Sequence, residues 1–336
     1  MLYRRSASRA YKGVILIAFA VILSILIPIF SASCNARTHT LTGNAFGSYY
    51  SVEYTGDNRD DELRELISAL DEAFAVNGSG DIASINASPV GKSVKVNSYT
   101  FRALTLAFEI ACASDEAFTP AAYPLTELWA FAPDNYIGAA NSIPSEESVG
   151  QTLKTVGTEH FALGDEQTVT KLTDGAGLDL GGIGKGFAAD EVSELLGEDL
   201  LVADFGATFR VTAPVKISIQ NPRGSNLVAE ATVSYSSVAT SGDYQRFYVV
   251  DGVRYNHIMG RDGYPAGHFS EDPVISATVT SPSAALSDAL STAAMVLGNS
   301  DELSRLLEKY DASCVLFTET ERFTVGNAPF EFIPQK

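Results

Sequence analysis

Apolar residues recur at helical spacing in five stretches of the 336-residue chain: 60–74, 99–113, 186–196, 283–297 and 301–310. Between them lie short runs rich in β-branched and aromatic residues, at 49–54, 94–96, 169–172, 215–220, 231–236, 245–250, 275–280, 314–318 and 322–325. These strands arrive in groups rather than alternating one for one with helices, so the pattern predicts an α+β fold instead of a doubly wound sheet. The segment 132–150 has neither period and reads as an irregular surface excursion. About 300 residues follow the first apolar run. That length suits one large domain of mixed sheets with packed helices, or two intimately packed lobes.

The first 33 residues follow a different pattern. Arg4, Arg5, Arg9 and Lys12 precede an apolar run from Val14 to Phe30, and the sequence then reads Ser-Ala-Ser-Cys. A basic start, an apolar middle and small residues before Cys34 form an export signal with Cys34 as the acylated residue of a lipoprotein. Two alternatives are cleavage without acylation and retention of the run as an anchor. All three readings place the remainder outside the cytoplasm, with 34–42 as a tether.

Removing residues 1–33 takes away four positive charges and no negative ones, which moves the formal net charge from −18 to −22. A surface of that sign repels nucleic acid, so no nucleic-acid partner is expected. Any anionic ligand would need a local remedy, either a metal ion or oriented backbone N–H groups. Besides Cys34, the chain has Cys112 and Cys314, in apolar surroundings that suit either a disulfide or two free thiols.

Chemistry concentrates in a few places. Gly181, Gly182, Gly184 and Gly186 separate a strand-like run (Leu178, Asp179, Leu180) from a helix-like one carrying Ala188, Val192, Leu195 and Leu196. Glycines in that position let a backbone approach a ligand and aim N–H groups at an anion, although a plain strand-to-helix turn reads the same way. Lys185 stands at the helix start, an unfavourable place for a cation unless an anion binds there. Asp288 and Thr292 lie one turn apart on one helix face and present two hard oxygens of the kind Mg²⁺ prefers. The plainer reading is a solvated aspartate beside a threonine bonded to its own backbone. His257, beside Ile258 and Met259, suits either a hydrogen-bonded core position or general-base work. Thr240 and Ser241 open a Thr-Ser-Gly-Asp-Tyr turn, which is also ordinary hairpin chemistry. His39, His160 and His268 have no motif around them and read as surface residues, and Trp129 reads as structural.

Four segments in order, 117–131, 177–192, 238–259 and 280–298, with an early glycine turn at 43–54, resemble the ApbE family of flavin transferases. The resemblance implies transfer of FMN from FAD onto a Ser/Thr hydroxyl of an acceptor protein, with AMP released. Acceptors of that kind are redox-pump subunits or extracytoplasmic flavoproteins. It further implies Mg²⁺ held by Asp288, Thr292 and the carbonyl of Gly184, with His257 helping to activate the accepting hydroxyl. Phe46, Phe118, Thr119, Gly182, Lys185, Phe187, Thr240, Ser241 and Ile258 fall at or near the flavin nucleotide. FAD hydrolysis to FMN and AMP, and FAD binding without catalysis, are the alternatives within the same resemblance. Some positions depart from the family pattern. Thr119 replaces an aspartate in Ala-Phe-Asp-Pro, and Thr208 closes a segment that commonly ends in aspartate. Val76 stands near a tyrosine position, and 259–265 lacks the Asp-Pro that usually follows the histidine.

Overall fold

The computed structural model describes residues 37–133, 136–138 and 142–334, so the export signal and Cys34 lie outside the described residues. The described chain opens with a hairpin of strands Thr38–Ala45 and Ser48–Thr55. Its two-residue turn, Phe46 and Gly47, has φ of 53° and 69°. Two positive φ values match the right-handed twist of the flanking strands. Because the first strand begins at Thr38 and Leu41 is fully buried, the stretch 34–42 is not a free tether throughout.

Eight strands form one sheet in the order 38–45, 48–55, 200–204, 208–211, 236–242, 274–281, 313–318 and 322–325. Every strand pairing among the described residues is antiparallel, within the expected α+β class. Strand Val274–Ser281 is buried at all eight positions because both sheet faces are covered there. On one face lie helices Asp60–Phe74, Ser98–Ala113, Gly184–Leu196, Ala284–Leu297 and Asp301–Lys309. The first of these buries Leu63, Ile67, Leu70, Ala73 and Phe74, one stripe at helical spacing. The other face is capped by a three-stranded sheet of 331–332, 227–233 and 215–220, which closes a second core around Val238, Ile275 and Val315. A third cluster, largely aromatic, joins Trp129, Phe131, Tyr248 and Tyr255 beneath the hairpin Phe247–Val250/Val253–Asn256.

Several expectations need correction. Residues 178–180 are not a strand: Leu178 N–H and carbonyl bond the Asn86 side chain, and Asp179 N–H bonds the Pro120 carbonyl. Loop contacts there replace a ladder. The run 231–236 divides between strands 227–233 and 236–242. The excursion 132–150 ends in a helix, Glu146–Thr152, capped by Ser145. Cys112 and Cys314 are both free, Cys112 exposed and Cys314 buried. His39, His160 and His268 are each half-buried rather than on the surface, and His268 stacks on Tyr264. Trp129 is structural, fully buried with its indole N–H on the Gly263 carbonyl.

Helices Gly184–Leu196 and Ala284–Leu297 cross in unusually close contact. A Cβ on Gly186 would lie 2.1 Å from the Ala284 carbonyl oxygen and 2.7 Å from the Ala285 nitrogen. The Asp190 carboxylate accepts the Ala284 and Ala285 N–H groups, each at 2.9 Å, and the Ser283 hydroxyl at 2.7 Å. One helix thus caps the other, a contribution of about 1 kcal/mol for the cap alone. We expect Gly186→Ala to destabilise the fold by about 1–3 kcal/mol, the usual cost of overpacking a core. Urea unfolding checks this, and an unchanged midpoint would mean that the helices separate freely.

Candidate functional site

The crossing of these two helices builds the site. Glycines 181–186 wrap the start of helix Gly184–Leu196, whose N-terminal N–H groups have no partner within the helix. One of them, Gly186 N–H, donates to Asp288 Oδ2 at 3.0 Å. The other carboxylate oxygen accepts the Thr208 hydroxyl at 3.2 Å, and the Lys185 ammonium stands 3.5 Å from it. Asp288 is 5% exposed. The solvated-aspartate reading therefore fails: this is a buried carboxylate held by a backbone donor, a hydroxyl and a cation.

Thr292 lies one turn further along, its hydroxyl 3.4 Å from the Asp288 carbonyl and 3.4 Å from Ser241 Oγ. Ser241 also bonds Ser291 at 2.7 Å. A Cβ on Gly182 would fall 3.4 Å from the Thr292 hydroxyl and 3.2 Å from the edge of Phe118, so the glycine loop passes directly over the threonine. Gly184 presses on Phe74, where a Cβ would stand 3.3 Å from the ring, with Phe46 at 3.9 Å. Glycine at 184 leaves that space to the phenylalanines.

His257 stands on the rim. Its main-chain N–H donates to the Arg246 carbonyl at 3.2 Å, and its Nδ1 lies 3.3 Å from the same oxygen. A carbonyl only accepts, so in the neutral ring Nδ1 carries the proton and Nε2 keeps its lone pair. Burial, and then the charges of Arg246 and Lys185, push the imidazole pKa down to about 4. The same two cations act on Asp179, whose carboxylate accepts Gly181 N–H at 2.8 Å and whose pKa burial nevertheless raises. Lys185 and Arg246 thus act on both Asp179 and His257.

The structure brings Gly182, Gly184, Lys185, Ser241, Asp288 and Thr292 together, with Phe46 and Phe118 against the loop. Thr240 is different: it alternates to the other side of its strand and bonds Thr278 at 2.9 Å. Phe187 and Ile258 are core residues, Phe187 packing on Phe74 and Ile258 held through Asn256. Thr119 closes a local turn, its hydroxyl accepting Ala121 N–H at 3.0 Å. Asp179 and Arg246 were missed as site residues, and Thr208 was read only as a departure. The available signals were an acid two residues before the first of the glycines and a base two residues after the Thr-Ser-Gly-Asp-Tyr turn.

A helix N-terminus opened by glycines thus faces a buried carboxylate–hydroxyl pair beside two cations in an α+β fold. The chain belongs to the ApbE family, whose model matches residues 46–316. It is 26% identical over 320 residues to the FAD:protein FMN transferase of Escherichia coli (strain K12), covering 84% of this chain and 88% of that one. It is 29% identical over 292 residues to the FAD:protein FMN transferase of Treponema pallidum, covering 76% and 75%. The crystal structure of the ApbE protein of Thermotoga maritima superposes with a TM-score of 0.75 at 27% identity, covering 86% of this chain and 97% of that one.

The lowered His257 pKa has a defined sign. Above the unfolded value of about 6.5 the ring is neutral in both states and its contribution to stability is complete. As pH falls from about 6.5 through about 4, the unfolded chain takes up the proton first and stability is lost. NMR titration of the imidazole checks this, with an expected midpoint near 4. A midpoint at the ordinary value would mean that neither burial nor the two cations act on the ring.

Proposed function

We propose that the protein is an FAD:protein FMN transferase that uses Mg²⁺, releases AMP and works on an extracytoplasmic acceptor. The observation that carries the reading is the convergence of Asp288, Thr292 and the glycine loop on one point, with His257 at its rim. Membership of the family, and relatives that bear the transferase name, support it.

The donor set fits a small hard cation. Among the described residues there is no cluster of three or more His, Cys, Asp or Glu suited to a transition metal. Asp288, Thr292 and the Gly184 carbonyl offer oxygen only, with a single negative charge. Mg²⁺ favours such a set because it completes its shell with water and phosphate oxygens. The Lys185 ammonium 3.5 Å from Asp288 shows that the position attracts positive charge. When bound, the ion would neutralise pyrophosphate oxygens of FAD.

The chain's own groups then supply positioning and proton transfer, which dominate phosphoryl chemistry. The N–H groups of Gly182 and Lys185, which unlike those of Gly181, Ile183, Gly184, Gly186 and Phe187 are not taken up among the described residues, would hold a phosphate oxygen at the helix N-terminus. An acceptor Ser/Thr oxygen attacks the FMN phosphorus, the bond from that phosphorus to the AMP oxygen breaks, and the hydroxyl proton passes to His257 Nε2. A resting pKa of about 4 makes a weak base. An incoming anion would counter Arg246 and Lys185 and so raise the value by their share of the shift, while the larger share, burial, stays in place. An anchor at Cys34 would keep the enzyme beside membrane-bound redox subunits and raise their effective concentration.

The test is incubation of the purified protein with FAD and Mg²⁺, with and without an acceptor carrying a Ser/Thr flavinylation motif. Acceptor-dependent AMP, with flavin that stays on the acceptor after denaturation, is expected. Acceptor-independent AMP and free FMN would make it a pyrophosphatase instead, and bound FAD without AMP would make it a carrier. Asp288→Ala and Thr292→Val should each lower turnover, by about 100-fold or more for the aspartate, in line with the loss of a charged group that stabilises a transition state. Full activity in Asp288→Ala would remove the metal assignment.

A further inference from the structure

Arg246 has no role in the chemistry above beyond the carbonyl that orients His257. Its guanidinium is half-buried, yet among the described residues it makes no hydrogen bond and no ion pair. Arg59, Arg102, Arg210, Arg223, Arg254 and Arg261 each approach a carboxylate within 4.0 Å, and the other described arginines without an ion pair, Arg37, Arg64, Arg305 and Arg322, are all exposed. In a chain with 41 acidic and 23 basic residues, carboxylates are plentiful. A half-buried arginine withheld from all of them retains five donors for something else.

Its position limits what that ligand is. The side chain ends above the bare hairpin turn, where a Cβ on Gly47 would lie 3.2 Å from a guanidinium nitrogen. Gly47 has a φ of 69°, so the turn both favours glycine and leaves the guanidinium uncovered. The guanidinium and the Lys185 ammonium act from separate elements on the same two groups, His257 and Asp179. Lys185 belongs to the helix N-terminus and Arg246 to the segment entering strand Phe247–Val250, so two separate elements supply the cations that act on Asp179, whose carboxylate holds the Gly181 N–H of the glycine loop. A planar guanidinium with free donors matches two oxygens of a phosphate better than a point charge does.

We propose that Arg246 binds the FMN phosphate of the flavin nucleotide, clamping it with Lys185 across the mouth of the glycine loop. This rests on the flavin-transfer reading and adds a residue to it. The phosphate that Arg246 holds is the one that carries the transferred group, so the guanidinium would also bear the charge that gathers there during attack. Substitution of the side chain leaves the backbone carbonyl in place, so the hydrogen bonds to His257 persist. Phosphate binding and histidine orientation therefore separate experimentally.

The experiment measures flavin binding by the full protein through fluorescence quenching, with EDTA present so that neither metal nor turnover contributes. The probes are FMN and riboflavin, which differ only by the phosphate, against wild type, Arg246→Gln and Arg246→Lys. Arg246→Gln should weaken FMN by about ten-fold or more, the usual value of a hydrogen bond to a charged group. Riboflavin should change less than about two-fold, and Arg246→Lys should recover part of the FMN affinity. Equal loss of FMN and riboflavin would overturn the proposal in favour of a contact to the ring or a structural role. Unchanged FMN affinity would also overturn it. If Arg246→Gln fails to fold, the comparison of FMN with riboflavin in Arg246→Lys decides by the same criterion. A wild type that binds FMN while the variants match it defeats only the role of Arg246. A wild type that binds neither flavin, with FAD also unbound when Mg²⁺ is restored, defeats the flavin reading itself.

Discussion

Everything at the site depends on how closely two helices approach. Gly186 lies against the Ala284 carbonyl so tightly that no side chain fits, and the same residue's N–H is bonded to Asp288. If the helices parted, that donor would leave the carboxylate and the glycine loop would lift from Thr292. Asp190 fixes the approach from one turn further on by capping the second helix with its own side chain. Packing and chemistry therefore share a single degree of freedom. A buried carboxylate is tolerable here because its partners arrive through the contact that buries it.

Charge is distributed around this crossing against the trend of the molecule. The protein carries a formal charge of −18, yet Lys185 and Arg246 both act on Asp179 and His257 beside the glycine loop. They make a local positive field in an acidic molecule. Burial first, and then that field, hold the His257 pKa down to about 4.

Much of this architecture was legible in the sequence. Helix 60–74 emerges at the expected residues, and 301–309 and 284–297 lie within one residue of expectation, because their apolar stripes are regular and the latter two have serine caps. The first strand was hidden because it turns only Leu41 and Ala45 fully inward, among threonines and a histidine. Strand Ser236–Gly242 was hidden for a related reason. Its inward residues Ser237, Ala239 and Ser241 are small and meet serines of the facing helix, so burial there carries no apolar signature. The glycine loop misled in the opposite direction: the run Leu178, Asp179 and Leu180 looks like a strand because its leucines are apolar and buried, but loops bury them. For the site, pairs close in sequence such as Asp288 and Thr292 could be read directly. Arg246 and Asp179 could not, since 67 positions separate them and only the fold makes them neighbours.

One departure from the family pattern gains a physical sense from the same geometry. Where an aspartate is common, Thr208 presents a hydroxyl, and that hydroxyl donates to Asp288. A second carboxylate at that point would face the first across a buried contact, and such pairs hold a proton rather than ionise together. A hydroxyl instead orients Asp288 and leaves it as the only negative charge among its neighbours, with Lys185 close by. The Thr208 exchange therefore leaves the Asp288 carboxylate with a donor on each oxygen, Gly186 N–H on one and the Thr208 hydroxyl on the other.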